Sequence, residues 1–332
     1  MRRFLWIGIV CLFILSFVFI FPPEEKKSYT ILKENVSPRS VSIAFVGDIM
    51  LSRSVGKIIK EEDDPSYPFG VSKDFFSDKD IVFGNLETPI SYRGTDMGSV
   101  YSFRSDPRVV EGLFNSHFSI LSLANNHIYD WGAEALMDTV HILSQHGIRS
   151  IGAGRDKDEA SGIVVLGENP RISFFACSDI FGEFARAGSG PGLFGCDDPV
   201  VFDRVEESIA ISDIQVVSLH WGEEYEEYNQ RQEYLAHRLI DAGVDIVVGH
   251  HPHVVQDVAW YKGGVIFYSL GNFIFDQYFS DETMRGMIGV IEVSLDGIES
   301  VSLFESNLSK RYQVQNITPH TATLQSEDFF VY

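Results

Sequence analysis

From Val41 onward, hydrophobic residues follow two alternating patterns. Short runs of β-branched and other apolar residues predict strands, and several intervening segments place apolar residues at helical spacing. Residues 132–146 and 230–242 show the helical pattern most clearly, and each segment stops at a glycine, Gly147 or Gly243, a common residue at the end of a helix. The alternation predicts an α/β fold. The predicted strands lie near residues 42–47, 80–83, 119–123, 172–177, 214–219, 244–248 and 265–270.

The C-terminal part has a different pattern. Strand signals at residues 287–294 and 300–304 are joined by the turn Asp296-Gly297, which predicts a β-hairpin. Residues 306–332 are polar with scattered apolar positions and have no clear period. We expect this segment to be a C-terminal tail that contributes at most one strand, around residues 312–317.

The first residues predict a membrane anchor. Arg2 and Arg3 precede an apolar run at residues 4–21, which has about the 18 residues that a bilayer-spanning helix needs. The two arginines favour a cytoplasmic N-terminus and place the remainder of the chain outside, as a single-pass protein of the cell membrane. A cleaved signal peptide is the alternative, although no A-x-A-like site follows the run. The predicted organisation is an anchor at residues 1–23, a linker at 24–40, a folded domain at 41–305 and a tail at 306–332.

Composition limits the function further. The chain has 332 residues, of which 45% are hydrophobic, as in a globular protein. It contains 26 Lys and Arg against 47 Asp and Glu, and its net charge of -21 opposes binding to nucleic acid or anionic lipid. If the substrate is itself polyanionic, a metal ion or an arginine cluster must therefore attract it locally.

Cysteine usage leaves two alternatives open. Cys177 and Cys196 follow the anchor, so they either pair in an oxidising compartment or remain as buried thiols beside a strand. Neither alternative indicates catalysis.

Residues that can bind a metal ion follow five of the predicted strands. In an α/β sheet, groups just beyond the carboxyl ends of the strands line one crevice, so segments that are distant in sequence converge there. A lone Gly-Asp is more commonly a turn, but three histidines within four residues directly after a buried strand favour a metal site. Mixed carboxylate, amide and imidazole donors suit manganese, iron or zinc better than calcium. The residues are Asp48, Asn85, Glu87, Asn126, His127, His220, His250, His251 and His253, with Glu224 near enough to His220 to support it.

These residues lie in motifs that resemble one known family. The set closely resembles the CapA family of capsule (poly-γ-glutamate) synthesis proteins, which belongs to the calcineurin-like metallophosphatase superfamily. The resemblance covers roughly residues 41–277, and it implies a four-layer fold in which two packed mixed β-sheets are flanked by helices, preceded here by the N-terminal transmembrane helix. The motifs are GDIMLSR, GNLETPI, FRSDP, LANNHIYDWG, GAG at residues 152–154, HWGEEY, DAGVDIVVGHHPHVVQ and SLGNF.

The resemblance also implies roles for individual residues. It makes His127 the general acid next to a metal-binding asparagine, and it leaves His250 less secure than its neighbours because the family pattern has H-x-H spacing. Two departures from the superfamily stand out: Met50 replaces a histidine, and Asn85 replaces a bridging aspartate. Asparagine is neutral and bridges two cations poorly, so either Glu87 bridges them or only one ion binds tightly. The implied ligands are Asp48, Asn126, His220, His251 and His253.

The expected function is a metal-dependent hydrolase that acts on an extracytoplasmic anionic polymer or its precursor, with one or two divalent ions. Arg53 and Arg104 are expected to hold the anionic groups of the substrate, because arginine suits carboxylate and phosphate; surface charge is the alternative for both. A non-catalytic subunit of a membrane capsule-synthesis complex is the rival hypothesis, since family membership leaves catalysis open. A cytoplasmic nucleotide phosphatase is disfavoured by the predicted anchor.

The anchor generates a topological prediction. A reporter enzyme fused after Tyr332 is expected to be active outside the cytoplasm, because Arg2 and Arg3 retain the N-terminus inside. The same fusion without residues 1–23 serves as the control and is expected to be active only inside. A full-length fusion that is active only in the cytoplasm would contradict this topology.

Overall fold

The computed structural model describes residues 40–324 and 329–330, and the predicted anchor and most of the linker lie outside this range. All seven strands expected in the α/β part are present, and the structure adds seven strands of two to four residues that the sequence pattern did not predict. The strands are numbered β1 to β17 in chain order. Their bounds are Val41–Ile49 (β1), Ile81–Leu86 (β2), Ile120–Ser122 (β3), Arg149–Ile151 (β4), Ala153–Gly154 (β5), Val164–Leu166 (β6), Ile172–Ser178 (β7), Gly192–Leu193 (β8), Ile214–His220 (β9), Ile246–His250 (β10), Val258–Tyr261 (β11), Gly264–Phe267 (β12), Asn272–Ile274 (β13), Arg285–Ser294 (β14), Gly297–Leu308 (β15), Val314–Leu324 (β16) and Phe329–Phe330 (β17).

Helices connect many of these strands. The two helices predicted most clearly from the sequence are α4 and α7, and α7 begins with a capping box in which Asn229 and Gln232 satisfy each other's backbone amides. The helices are Arg53–Glu62 (α1), Ser72–Phe76 (α2), Val109–Asn115 (α3), Gly132–Gln145 (α4), Lys157–Ala160 (α5), Val200–Ile211 (α6) and Gln230–Asp241 (α7).

The strands form two large mixed sheets. The first has the order β16-β15-β14-β1-β2-β3-β4, with β13 also paired to β1; β1 to β4 and β13 are parallel, whereas β14 to β16 are antiparallel. The second has the order β17-β11-β12-β10-β9-β7-β6, with a parallel centre made of β7, β9, β10 and β12. The predicted α/β fold with mixed sheets is therefore confirmed.

Alternating side chains along the strands create four layers. In β1, Ile43 and Phe45 face a core between the two sheets, which Phe174 of β7 and Val248 of β10 enter from the other side. The opposite face of the first sheet packs against helices that include α1, α3 and α4. The outer face of the second sheet packs against α6 and α7. Both sheets are thus buried on both faces, which explains the continuous apolar runs of their central strands.

The C-terminal segment belongs to the sheets. The hairpin strand β15 continues to Leu308, beyond residue 305 where the sequence analysis ends the domain, and β16 pairs with it antiparallel. Strand β17 joins β11 at the edge of the second sheet. The strand expected around residues 312–317 is present and longer, because pairing to β15 supplies backbone hydrogen bonds that a polar sequence pattern does not reveal. Within the described residues, no helix has the length and apolar character to cross a membrane.

One disulfide joins β7 to the loop before α6. Cys177 and Cys196 are bonded, with their Cα atoms 5.0 Å apart, and both side chains are buried. This resolves the two alternatives left open by the sequence in favour of pairing.

The chain passes from one sheet to the other through residues 268–271, directly beside the carboxyl ends of β1 and β10. The amide of Asp48 donates to the carbonyl of Gly271 at 2.9 Å. A Cβ atom on Gly47 would lie 1.9 Å from that carbonyl oxygen, and one on Gly249 would lie 2.0 Å from the carbonyl oxygen of Tyr268. Glycine at these two positions therefore allows the crossover to bring the two strand ends together.

This crossover generates a stability prediction. Gly47→Ala is expected to lower the free energy of unfolding by about 1–3 kcal/mol or more, because the new methyl group collides with the backbone of Gly271. The control is Gly190→Ala, since a Cβ atom there meets nothing within 4 Å, and its effect is expected to stay within about 0.5 kcal/mol. Denaturant unfolding of both variants measures the difference, and equal stability would show that the crossover tolerates displacement.

Candidate metal centre

The metal-binding residues expected from the sequence meet at the carboxyl ends of strands from both sheets. Asp48 lies at the end of β1 and pairs in register with Asn85 of β2, while His220 of β9 pairs in register with His250 of β10. Glu87 directly follows β2. The two packed sheets thereby place carboxylates from one sheet opposite imidazoles from the other.

Protein groups surround the carboxylate of Asp48. It accepts hydrogen bonds from the Asn85 side chain at 2.8 Å and from the backbone amide of His251 at 3.2 Å. The Nδ1 atoms of His250 and His253 each lie 3.3 Å from one of its oxygens. Burial alone raises the pKa of Asp48, but these two imidazoles outweigh burial and hold the pKa well below its usual value. Asp48 is therefore an ionised, fixed negative charge.

Glu87 is buried in a different way. Its side chain has no exposed surface, and neither carboxylate oxygen has a hydrogen-bond partner. Burial and the nearby charge of Asp48 raise the pKa of Glu87 well above its usual value when no cation is bound. A buried carboxylate without donors costs several kcal/mol, so the geometry suits a cation at this position.

His251 and His253 complete a set of metal-binding groups with Glu87. One potential ligand atom from each of these three residues lies within 4.8 Å of the other two, and all three side chains are buried. Both histidines have left-handed backbone conformations, with φ of 100° for His251 and 59° for His253. Such conformations are unfavourable for residues other than glycine and are concentrated at functional sites.

Burial and hydrogen bonding prepare the rings of His251 and His253 for metal binding. Burial and the neighbouring His253 lower the pKa of His251 to about 3. The Nδ1 of His253 lies 3.0 Å from the side-chain oxygen of Asn272. The amide nitrogen of Asn272 donates to Gln277 and to the Thr283 carbonyl, so its oxygen is the atom that faces the ring. His253 therefore donates from Nδ1, and its Nε2, which lies 3.9 Å from Glu87, remains available as a ligand.

His220 and Asn126 form a second pair of donors beside this set. The Nε2 of His220 lies 2.9 Å from the side-chain oxygen of Asn126 and 3.8 Å from Glu87. Burial and the neighbouring ring of His251 hold the pKa of His220 well below its usual value. His220 and Asn126 therefore add an imidazole and an amide oxygen to the donors beside Glu87.

Asn85 and His250 are buried beside the carboxylate of Asp48. The amide of Asn85 donates to Asp48 and accepts from Asn125, so both of its polar atoms are engaged. The ring of His250 lies 6.1 Å from that of Phe83, between the sheets, and its two nitrogens have no hydrogen bond. Met50, which stands where the superfamily has a histidine, is buried and accepts hydrogen bonds from Ser52.

His127 differs from the other histidines because a carboxylate holds it at the wall of a cavity. Its ring stacks on Phe103 with centroids 4.0 Å apart, and its Nδ1 lies 2.9 Å from Asp130. Asp130 also accepts from the Phe103 amide and the Ser99 hydroxyl. Since a carboxylate only accepts hydrogen bonds, Nδ1 donates to Asp130 and Nε2 is left for a ligand. The arrangement orients an imidazole for proton transfer.

The cavity next to these residues has a volume of about 450 Å³ and is bordered mainly by aromatic side chains. Arg53 extends over it and forms an ion pair with buried Asp276 at 3.1 Å. Glu224 is exposed at its rim. Arg104 does not line this cavity and instead stacks on Trp131, so the structure brings only one of the two predicted arginines to the metal-binding residues. The aromatic residues are Tyr101, Phe103, Tyr225, Phe275, Tyr278 and Phe279.

Sequence reasoning missed four residues that organise the site. Asp130 follows His127 by three positions in the same motif, a spacing that was available as a signal. The side chain of Asn125 donates hydrogen bonds to Asn85 and to the Leu86 carbonyl. The sequence predicted metal binding for the adjacent Asn126 and indicated no role for Asn125. Asn272 lies in the SLGNF motif, which was available as a signal, whereas Asp276 has no local signal because its partners Arg53 and Ser54 are distant in sequence.

Comparison with known proteins places the chain in a family. The family described as "Bacterial capsule synthesis protein PGA_cap" matches residues 42–277. The "PGA biosynthesis protein CapA" of Bacillus subtilis (strain 168) is 34% identical over 282 residues, covering 83% of this chain and 73% of that protein. The "Capsule biosynthesis protein CapA" of Bacillus anthracis is 35% identical over 250 residues, 71% of this chain and 60% of that protein.

A solved structure shows the same fold. The crystal structure of a phosphatase from Mycoplasma pneumoniae aligns with a TM-score of 0.50 at 12% identity, and covers 86% of this chain and 96% of that one. At this identity the likeness concerns the fold alone. Together with the family match, which confirms the resemblance found in the motifs, it shows that the chain belongs to the PGA_cap family of bacterial capsule synthesis proteins and has a metallophosphatase-like fold.

Proposed function

We propose that the chain is a metal-dependent hydrolase that cleaves an acidic polymer or its precursor during capsule or poly-γ-glutamate synthesis. In this proposal residues 1–23 anchor it in the cell membrane and the domain lies outside, where subunits of a capsule-synthesis complex are its partners. The names of its Bacillus relatives support the process. The proposal of metal-dependent hydrolysis rests on the geometry of the candidate metal centre.

One observation carries the proposal of a hydrolase. Both oxygens of buried Glu87 lack protein donors, while one ring nitrogen each of His251 and His253 lies within 4.8 Å of Glu87 and of the other. A protein interior rarely leaves a carboxylate in this state without a cation. Imidazole and carboxylate donors suit manganese, iron or zinc, of which we propose one or two bind. Such an ion supplies Lewis-acid polarisation of a phosphoryl or carbonyl oxygen and lowers the pKa of water to about 7.

The protein residues around the cavity supply the remaining chemistry. His127, oriented by Asp130, protonates the departing oxygen or nitrogen of the substrate. Arg53, fixed by Asp276, binds a carboxylate or phosphate group of the substrate above the site. Asp48 holds the backbone of His251 and thereby positions the histidine pair.

The first test measures metal content. Glu87→Gln, His251→Ala and His253→Ala in the purified full chain are each expected to lose most of the bound manganese, iron or zinc, because each removes a converging ligand. His141→Ala is the control, since this histidine is exposed on α4. Elemental analysis measures the occupancy. Equal occupancy in all four variants would show that the cluster is structural.

The second test examines proton donation. His127→Ala is expected to keep its metal but to lose activity by about 10²- to 10⁴-fold, with the smallest loss on substrates whose leaving group needs no proton. Asp130→Asn keeps His127 in place but removes the charge that orients it, so its loss should be smaller and accompanied by a shifted pH profile. Hydrolysis assays on phosphoesters and γ-glutamyl amides measure both effects.

The same variants separate the enzyme from a binding subunit. If cells with His127→Ala make a normal capsule while cells with His253→Ala make none, the metal supports a binding surface and hydrolysis is refuted. Loss of metal in His127→Ala would instead make this residue a ligand and overturn its assigned role.

A further inference from the structure

A second cavity lies next to the metal-site cavity, and Arg53 borders both. It has a volume of about 370 Å³ and is formed by α1 and by residues 104–109. We call it the basic groove. Its charged lining consists of Arg53, Lys57, Lys60, Arg104, Arg108 and Asp106.

The charge of the basic groove contrasts with that of the whole chain. Five cationic side chains and one carboxylate line it, whereas the protein has a net charge of -21. Arg53 is paired with Asp276, and Arg108 with Asp63 and Asp106, so the uncompensated positive charge comes mainly from Lys57, Lys60 and Arg104. Such a local concentration of positive charge creates an attractive potential for anions. Because the whole protein is acidic, a polyanionic substrate can bind only where cations are concentrated, and the basic groove provides such a place.

Several of these cations have nitrogens available for a ligand. Lys60 forms no ion pair with any residue of the described range, and exposed Lys57 has only a 3.9 Å contact with Glu61. The guanidinium carbon of Arg104 lies over the Trp131 ring, 3.4 Å from its centroid, and among the described residues the guanidinium donates only to the Arg93 carbonyl, at 3.4 Å. Stacking orients the guanidinium edge and leaves its other N–H groups free to bind an anion.

The cations on α1 form a line. Arg53, Lys57 and Lys60 occupy positions i, i+4 and i+7 of the helix, which fall on one face and span roughly 10 Å. The line begins at the metal-site cavity and leads away from it along the basic groove. A linear row of positive charges matches a linear chain of regularly spaced carboxylates better than a compact anion.

We propose that the basic groove binds consecutive carboxylates of an acidic polymer whose adjoining segment lies at the metal centre. This proposal rests on the proposed function for the position of the scissile bond, but binding along the groove does not require catalysis. Arg53 marks the junction at which the polymer passes from one cavity to the other. The enzyme would accordingly bind polymers much more tightly than single residues.

The test compares charge-matched double variants of the full chain. Lys57→Gln/Lys60→Gln is expected to bind poly-γ-glutamate roughly two- to thirty-fold more weakly than the unmodified chain at low ionic strength, because two exposed ion pairs are lost. Its affinity should also depend less on salt. Both lysines are exposed on α1, so folding is preserved, and thermal unfolding checks this.

The matched control is Arg149→Gln/Lys262→Gln. These residues lie at the start of β4 and in the turn before β12, where the parallel strands begin, so they are at the opposite edge of the sheets from the metal centre. Polymer affinity should be unchanged in this variant although the net charge changes equally. Equal weakening in both double variants, or in neither, would overturn the proposal.

Two further measurements distinguish failure of the groove from failure of the metal centre. Free glutamate should bind the groove variant and the unmodified chain equally, and metal content should be the same in both. Glu87→Gln, in contrast, should lose metal but retain most of its affinity for the polymer. Loss of metal in the groove variant would refute an independent polymer site, whereas absence of hydrolysis with polymer binding intact would refute only the proposed function.

Discussion

The burial of two carboxylates where the sheets meet is the constraint on which the rest of the site depends. Asp48 and Glu87 have no exposed surface, and Asp48 is compensated by imidazoles and amides. Glu87 has no such compensation, and the low polarity of its surroundings makes an isolated charge there costly. Only a bound cation or a proton can neutralise this carboxylate. The converging rings of His251 and His253 favour the cation, since one ring nitrogen of each lies within 4.8 Å of a Glu87 oxygen.

This constraint explains why the site is built from both sheets. The first sheet supplies the carboxylates and the second supplies most of the histidines, so an ion bound between them, as proposed, would also hold the two layers together. Binding to the folded state alone stabilises it in proportion to RT ln(1 + [L]/Kd). The crossover through residues 268–271 makes the approach possible, because Gly47 and Gly249 leave no side chain between the strand ends and its backbone. The close approach of the two sheets and the convergence of the candidate ligands therefore both depend on Gly47 and Gly249.

The sequence predicted those parts of the molecule whose signal is local. Continuous apolar runs marked the central strands, and the residues just beyond them converge as the rule for parallel sheets requires. Residues whose roles depend on distant partners were not predictable in this way. Arg53 and Arg104 both lie in sequence motifs of the family, yet Asp276 draws the first to the metal-site cavity and Trp131 draws the second into the basic groove. The full length of strand β16 was not predictable for a similar reason, since its pairing with β15 and not its own pattern extends it to Leu324.

The acidic character of the protein has a consequence for a polyanionic substrate. Over most of the surface a net charge of -21 repels such a polymer, and screening limits this repulsion to about 8 Å at physiological salt. In the proposed polymer site, attraction comes from the line of cations on α1 beside the candidate metal centre. Because the attraction along α1 depends on exposed ion pairs, each individually weak, the proposed site would hold a long polymer more tightly than a short one. In the proposed function, the same distribution of charge favours both capture of the polymer and release of its fragments.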